Sequence, residues 1–116
     1  MKRQNIGELI YLAVPYTHKD PRVMWERFRQ VNIVVAKLMR EGKNIFSPIS
    51  HMHLIAESGD LPRDWEYWKG YDIAMISRCT KMIVLRLDGW KESTGVQAEI
   101  KLAERFDIPV KYMDFK

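Results

Sequence analysis

With 116 residues, 47% of them hydrophobic and 29% charged, the chain has the size and balance of one globular domain and not of a disordered tract. The formal net charge is +4, with basic and acidic residues interleaved, which excludes a polymer-binding nucleic-acid tail and leaves a mildly basic surface suited to anionic small molecules. The single cysteine, Cys79, excludes an internal disulfide, and with seven methionines it fits a reducing cytoplasm.

The opening, MKRQNIGELIYLAV, starts basic, but Glu8 interrupts it and the apolar run is short. Neither a signal peptide nor a membrane span is expected. ELIYLAV reads as a strand buried on both faces. PYTHKDP breaks it, and Asp20 with Pro21 starts a helix that should run to about Glu41 and stop at Gly42. Phe28, Val31, Val35 and Leu38 form its buried stripe. Arg27 and Arg29 on the same helix read as a solvated face, the alternative being that one of them reaches a phosphate from the helix flank. NIFS is a short second strand ended by Pro48. SHMHLIAESGDLP reads as a loop with one or two helical turns, in which His51 and His53 have strand-like spacing; no further ligands are in place for a metal. Asp64 opens a second long helix, to about Arg78, with Trp65 and Trp68 in the core and Cys79 as a buried helical residue. KMIVLRL is the third strand, DGWKES a loop, residues 95 to 106 a helix, and VKYM after Pro109 the last strand.

Strands alternating with helices predict a single α/β domain over residues 1–116, a three-layer sandwich of the flavodoxin or Rossmann type. Its parallel sheet has four strands, or five, in the order 2-1-3-4. The ligand crevice of such a sheet lies beyond the carboxyl ends of the strands where the winding reverses, here between the first and third. VPYTHK and DGWKEST would wall it.

The last helix raises a question of its own. Val96, Glu99, Ala103 and Phe106 fall on one stripe, so a carboxylate borders the core face. A capping role is already filled, since Thr94 is the expected N-cap and Gln97 lies three residues later. The residues at helix spacing from Glu99 are Gly95, Val96, Leu102 and Ala103, none of them charged. Gly95 at the helix start, with the Ser93 and Thr94 hydroxyls, offers a seat for a phosphate or a sugar. Asp72 sits on its helix between Trp68 and Ile76, an apolar setting; the alternative is a salt bridge to Lys69. Trp90 in the crevice loop either stacks on a base or packs structurally. His18 either contacts an anion or is loop surface, and Asp88 either binds a sugar hydroxyl or makes an Asx-turn before Gly89.

YLAVPY, DIAMISRCTKMIVL and LDGWKESTGVQAEIKLAERFDIPV together resemble the nucleoside 2-deoxyribosyltransferase-like superfamily, in particular a small branch of unknown function with FSPI in its middle. The resemblance covers nearly the whole chain. It implies that Glu99 is the nucleophile on the sugar C1′ and Asp72 the residue that handles the leaving base. Ser93 matches a position that is Ser in phosphate-binding deoxynucleotide hydrolases, which leans toward a phosphorylated substrate. Gly95 matches the loop glycine, and Tyr16 lies at the loop that lines the sugar pocket. Val14 and Gln97 depart from the pattern, where the family has a small residue and often a second glycine. The resemblance implies an N-glycosidic-bond enzyme acting on a nucleoside or nucleotide without metal or organic cofactor. It also implies a homodimer or larger closed assembly, since related enzymes complete the crevice from a neighbouring subunit. The alternatives are a non-catalytic nucleotide-sensing module of the same fold, and a structural subunit with an exposed Glu99 and no crevice.

Overall fold

The computed structural model describes residues 7–115; the basic opening of the chain lies outside them. Eight elements follow in the order β1 (Ile10–Ala13), α1 (Pro21–Arg40), β2 (Ile45–Phe46), α2 (Pro48–Gly59), α3 (Trp65–Ile76), β3 (Lys81–Leu85), α4 (Thr94–Arg105) and β4 (Val110–Met113). The four strands form one all-parallel sheet in the order β2-β1-β3-β4. This is the α/β architecture and strand order expected from the alternation of elements.

Period-two alternation along β1 and β3 divides the core into two layers. Ile10, Leu12, Ile83 and Leu85 face α1 and α2, where Val31, Val34, Leu38, Met52 and Ala56 close over them. Tyr11, Ala13, Met82 and Val84 face the other side and pack with Ile76, Val96 and Ala103 of α3 and α4. Both central strands are therefore covered on both faces, which is why they read as unbroken apolar runs.

Helix α1 is capped by the Asp20 side chain, which accepts from Arg22 N–H, with Pro21 in the first turn. Its buried residues are Val31, Val34 and Leu38, while Phe28 and Val35 pack only partly against the core. The segment after β2 differs from the expected loop. It forms the three-turn helix α2, because Pro48 starts the helix and does not merely end the strand. Ser47 caps it by accepting from Ser50 N–H, and Ile49, Met52, His53 and Ala56 supply a buried stripe at helical spacing. Asp60 in the left-handed region (φ 54°) ends it. Helix α3 ends at Ile76, two residues short of Arg78, so Cys79 is buried in the turn before β3 and is not helical; burial pushes its thiol up to about 11. Ser93, not Thr94, caps α4, accepting from Val96 N–H at 3.2 Å, and Phe106 at its far end is exposed. Among the described residues no helix is long and apolar enough to cross a membrane.

Candidate functional site

A cavity of about 360 Å³ opens at the carboxyl ends of β1 and β3, at the small end of the range for small-molecule sites. Val14, Tyr16 and Thr17 come to it from the loop after β1, and Pro48, Ile49 and Met52 from the start of α2. Arg63, Asp64, Trp65, Glu66, Trp68 and Asp72 come from α3 and the segment before it, and Glu92, Ser93, Thr94, Gly95 and Glu99 from α4 and its approach.

Glu99 is 5% exposed and Asp72 7% exposed, so two carboxyls are buried in one crevice. The expectation that Glu99 has no partner along its own helix is met, yet it has one across the molecule. The Tyr11 hydroxyl, 88 residues away on β1, donates to Glu99 Oε2 at 2.5 Å. Among the described residues no cation pairs with Glu99. Burial, then the neighbouring Asp72 charge, raises the Glu99 carboxyl well above its ordinary range, and the Tyr11 hydrogen bond partly offsets this. Burial likewise pushes Asp72 up to about 7, again with Tyr11 pulling the other way. The predicted alternative for Asp72 is not realised, because Lys69 pairs with Glu66 at 2.9 Å. Burial and the adjacent carboxylates raise Tyr11 well above 10, so it stays a phenol and a donor. Both carboxyls line one crevice, and burial holds each toward its protonated form.

The remaining predicted residues divide. Tyr16, Ser93, Thr94 and Gly95 line the crevice with the carboxyl pair. Ser93 Oγ is engaged as the cap of α4, which takes up the Val96 N–H. Asp88, Trp90 and His18 are not brought to the crevice. Asp88 is exposed and faces shallow clefts on the outer side of its loop. Trp90 is half-buried against the α4 side of the core, with Tyr112 at 5.6 Å, so the structural alternative describes it better than base stacking. His18 Nδ1 accepts from Asp20 N–H within its own loop. Trp65 and Trp68, expected in the core, are half-buried and line the crevice, with Trp68 Nε1 donating to Pro62 O at 2.7 Å. Arg27 is not a solvated residue either. Its guanidinium donates to Tyr16 O, Thr17 O and Asp88 O, tying together the loops after β1 and β3. Gln97 donates to Trp90 O at 3.2 Å and stiffens the approach to α4.

Tyr11 and Arg63 were missed by sequence reasoning, and His53 was weighed there only as a metal ligand. The signal for Tyr11 was a phenol inside a strand buried on both faces, where a hydroxyl must find a partner. Arg63 is the one cation lining the crevice, against five carboxyl side chains. His53 lies on the buried face of α2, whereas His51 faces outward to the Tyr71 hydroxyl at 2.9 Å. Among the described residues no group of three or more His, Cys, Asp or Glu side chains is placed to hold a metal ion.

Residues 8–115 match the family described as a domain of unknown function, DUF1937. No curated protein matches the chain.

Proposed function

The chain belongs to the DUF1937 family, and we propose, from its crevice, that it breaks or transfers the N-glycosidic bond of a nucleoside. The observation that carries this reading is the buried Glu99–Asp72 pair sharing one crevice, with Tyr11 holding Glu99 from behind. A glycosidic carbon reacts through a cationic, oxocarbenium-like centre, and it needs a carboxylate beneath the ring and a proton for the leaving group. With one carboxyl ionised and the other protonated, the pair supplies both.

In the productive state Glu99 is ionised and Asp72 protonated. The positive charge developing at C1′ beside Glu99 favours that distribution. A Glu99 oxygen forms a bond to C1′, the C1′–N bond breaks with its electron pair going to the base, and Asp72 delivers its proton to the base nitrogen. Water or a second base then takes the sugar from Glu99. Asp72, now a carboxylate, accepts the proton of that acceptor. Desolvation strengthens the attraction between Glu99 and the reacting carbon.

The lining charges support an unphosphorylated substrate over the phosphorylated one that Ser93 alone suggested. Asp64 and Glu92, with Glu66 paired to Lys69, stand in the wall against a single lining cation, Arg63.

The test is a panel of nucleosides and their 5′-monophosphates, followed by release of free base. Nucleosides should turn over faster than monophosphates. Glu99→Gln should abolish turnover in a folded protein, and a 2-fluoro-arabinosyl nucleoside should leave a sugar adduct on the Glu99 peptide in intact and digested mass spectra. A Glu99→Gln protein with normal turnover would end this reading. Tight binding of the panel with no released base would return the protein to the sensing class.

A further inference from the structure

The acidic groups of the crevice lack a counter-charge among the described residues. Asp72 and Glu99 are each more than nine-tenths buried in its wall, and no ion pair reaches either. Tyr11 bears on both, but it has one proton, and that proton goes to Glu99. Asp72 is left without a donor of its own. Asp64 and Glu92 add two exposed carboxylates, also without an ion pair, and Asp64 stands at the N-cap position of α3 without making a side-chain cap bond. The lining cation, Arg63, lies by the Tyr16 hydroxyl; its charge favours ionisation there and has no such effect on Asp72 or Glu99. The start of α4 adds about half a positive charge, too little to neutralise the pair. A buried carboxylate with no counter-charge is costly, which is why burial holds both carboxyls toward their protonated forms.

The aromatic lining supplies a second observation. Trp25 lies against Phe28 and His53, Trp68 against Tyr67 and Tyr71, and Trp90 against Tyr112. Trp65 is half-buried in the crevice wall, and among the described residues its ring lies against no other aromatic ring and no cation. Gly95 stands beside it at the start of α4, with Trp65 Cε3 3.8 Å from where a Cβ on that glycine would be. The face of an indole attracts a cation, most strongly when both are withdrawn from water.

We propose that the crevice selects a nucleoside whose base carries a fixed positive charge, a pyridinium or an N-alkylated purine, seated against Trp65 with Asp72 and Glu99 as its counter-charge. The nucleoside part of this assignment rests on the N-glycosidic reading above; the cation site does not. Such a ligand brings the charge that the chain itself does not place beside the pair, so its binding and the ionisation of the carboxyls favour one another. It also simplifies the chemistry. A Glu99 oxygen bonds to C1′, the bond from C1′ to the charged ring nitrogen breaks with its electron pair going to that nitrogen, and the base departs neutral without a proton from Asp72. Asp72, ionised beside the cation, then takes a proton from water as the water oxygen bonds to C1′ and Glu99 is released.

Two probes of one shape separate charge from size: 1-methylnicotinamide, a pyridinium cation, and 3-methylbenzamide, in which carbon replaces the charged nitrogen. Neither has a glycosidic bond. Titration of the wild-type protein near neutral pH, followed by NMR, should show the cation binding about tenfold tighter or more. Equal affinities, a preference for the neutral probe, or no binding of either would overturn the proposal. Asp72→Asn, which keeps the shape, should remove most of the preference. Trp65→Leu should weaken binding of the cation about fivefold to tenfold, and Trp65→Phe should recover part of it. A folded Trp65→Leu protein that binds the cation as the wild type does would also overturn the proposal. Release of base then tests the reaction, and nicotinamide riboside should be cleaved faster than inosine. Cleavage of inosine with no preference for the cation would overturn the proposal and leave the N-glycosidic reading standing. A cation preference in binding, with no base released from either nucleoside, would remove that reading and leave the cation site in place.

Discussion

A carboxyl that is hard to ionise in the fold weakens the fold whenever pH forces it to ionise. Asp72 moves from an unfolded value near 3.8 up to about 7 in the folded chain. Between those values the folded state binds the extra proton, so stability falls as pH rises through this window and levels off above it. Asp72→Asn removes the titration and keeps the shape. Its gain in melting temperature over the wild type should therefore be small near pH 4, grow toward pH 7 and then plateau. One pKa unit corresponds to about 1.4 kcal/mol, so the plateau lies at or below about 4 kcal/mol. Thermal scans of both proteins from pH 4 to pH 8 check this, and a pH-independent gain would point to packing instead. At this scale the sequence was legible where charge contradicted pattern. Glu99 and Asp72 stood out because each is acidic among apolar helix positions. Tyr11 and His53 did not, since a phenol in a strand and a histidine on a helix stripe break no pattern. Their hydrogen-bond partners lie 88 and 37 positions away.

Among the elements, the long periodic helices and the apolar strands declared themselves, and α2 did not. Its mixed stripe of Ile49, Met52, His53 and Ala56 is short, and Gly59 at its end with Asp60 after it resembled loop chemistry. The predicted position of the crevice survived because it depends on strand order, which α2 does not alter. What sequence could not reveal is how the two crevice loops are held together. Arg27 spans them with three backbone hydrogen bonds, and Gly89 makes room for it. Gly89 has φ +91°, and a Cβ there would stand 2.9 Å from Arg27 Nη2. Arg27→Ala should cost about 2 kcal/mol and weaken nucleoside binding together with stability. Arg27→Lys should not recover either, because an ammonium cannot reach both loops at once. Denaturant midpoints and nucleoside titration of the two variants provide the measurement. Full binding in Arg27→Ala would mean that the loops hold themselves.

The whole molecule carries a net charge of +4, yet its crevice presents five carboxyl side chains and one guanidinium. Composition alone pointed the other way, toward anionic ligands, because a sum over the chain says nothing about which charges line a concave surface. The expected closed homo-oligomer belongs at this scale too. Trp25, Ile33, Leu54 and Ile55 are each more than two-fifths exposed on α1 and α2, more apolar side chain than a two-helix outer face needs for solubility. Sedimentation velocity at micromolar concentration should give a dimer or larger closed species, and a lone monomer would remove the expectation. The Tyr11–Glu99 hydrogen bond also joins the start of the described chain to its final helix, across 88 residues. Glu99 thus receives its phenol only when the first strand and the last helix are both docked on the same sheet. A chain still emerging from synthesis would hold the phenol before the acid, and one cut between the two halves would part them. If the nucleoside proposal holds, neither form would act until folding had joined the two.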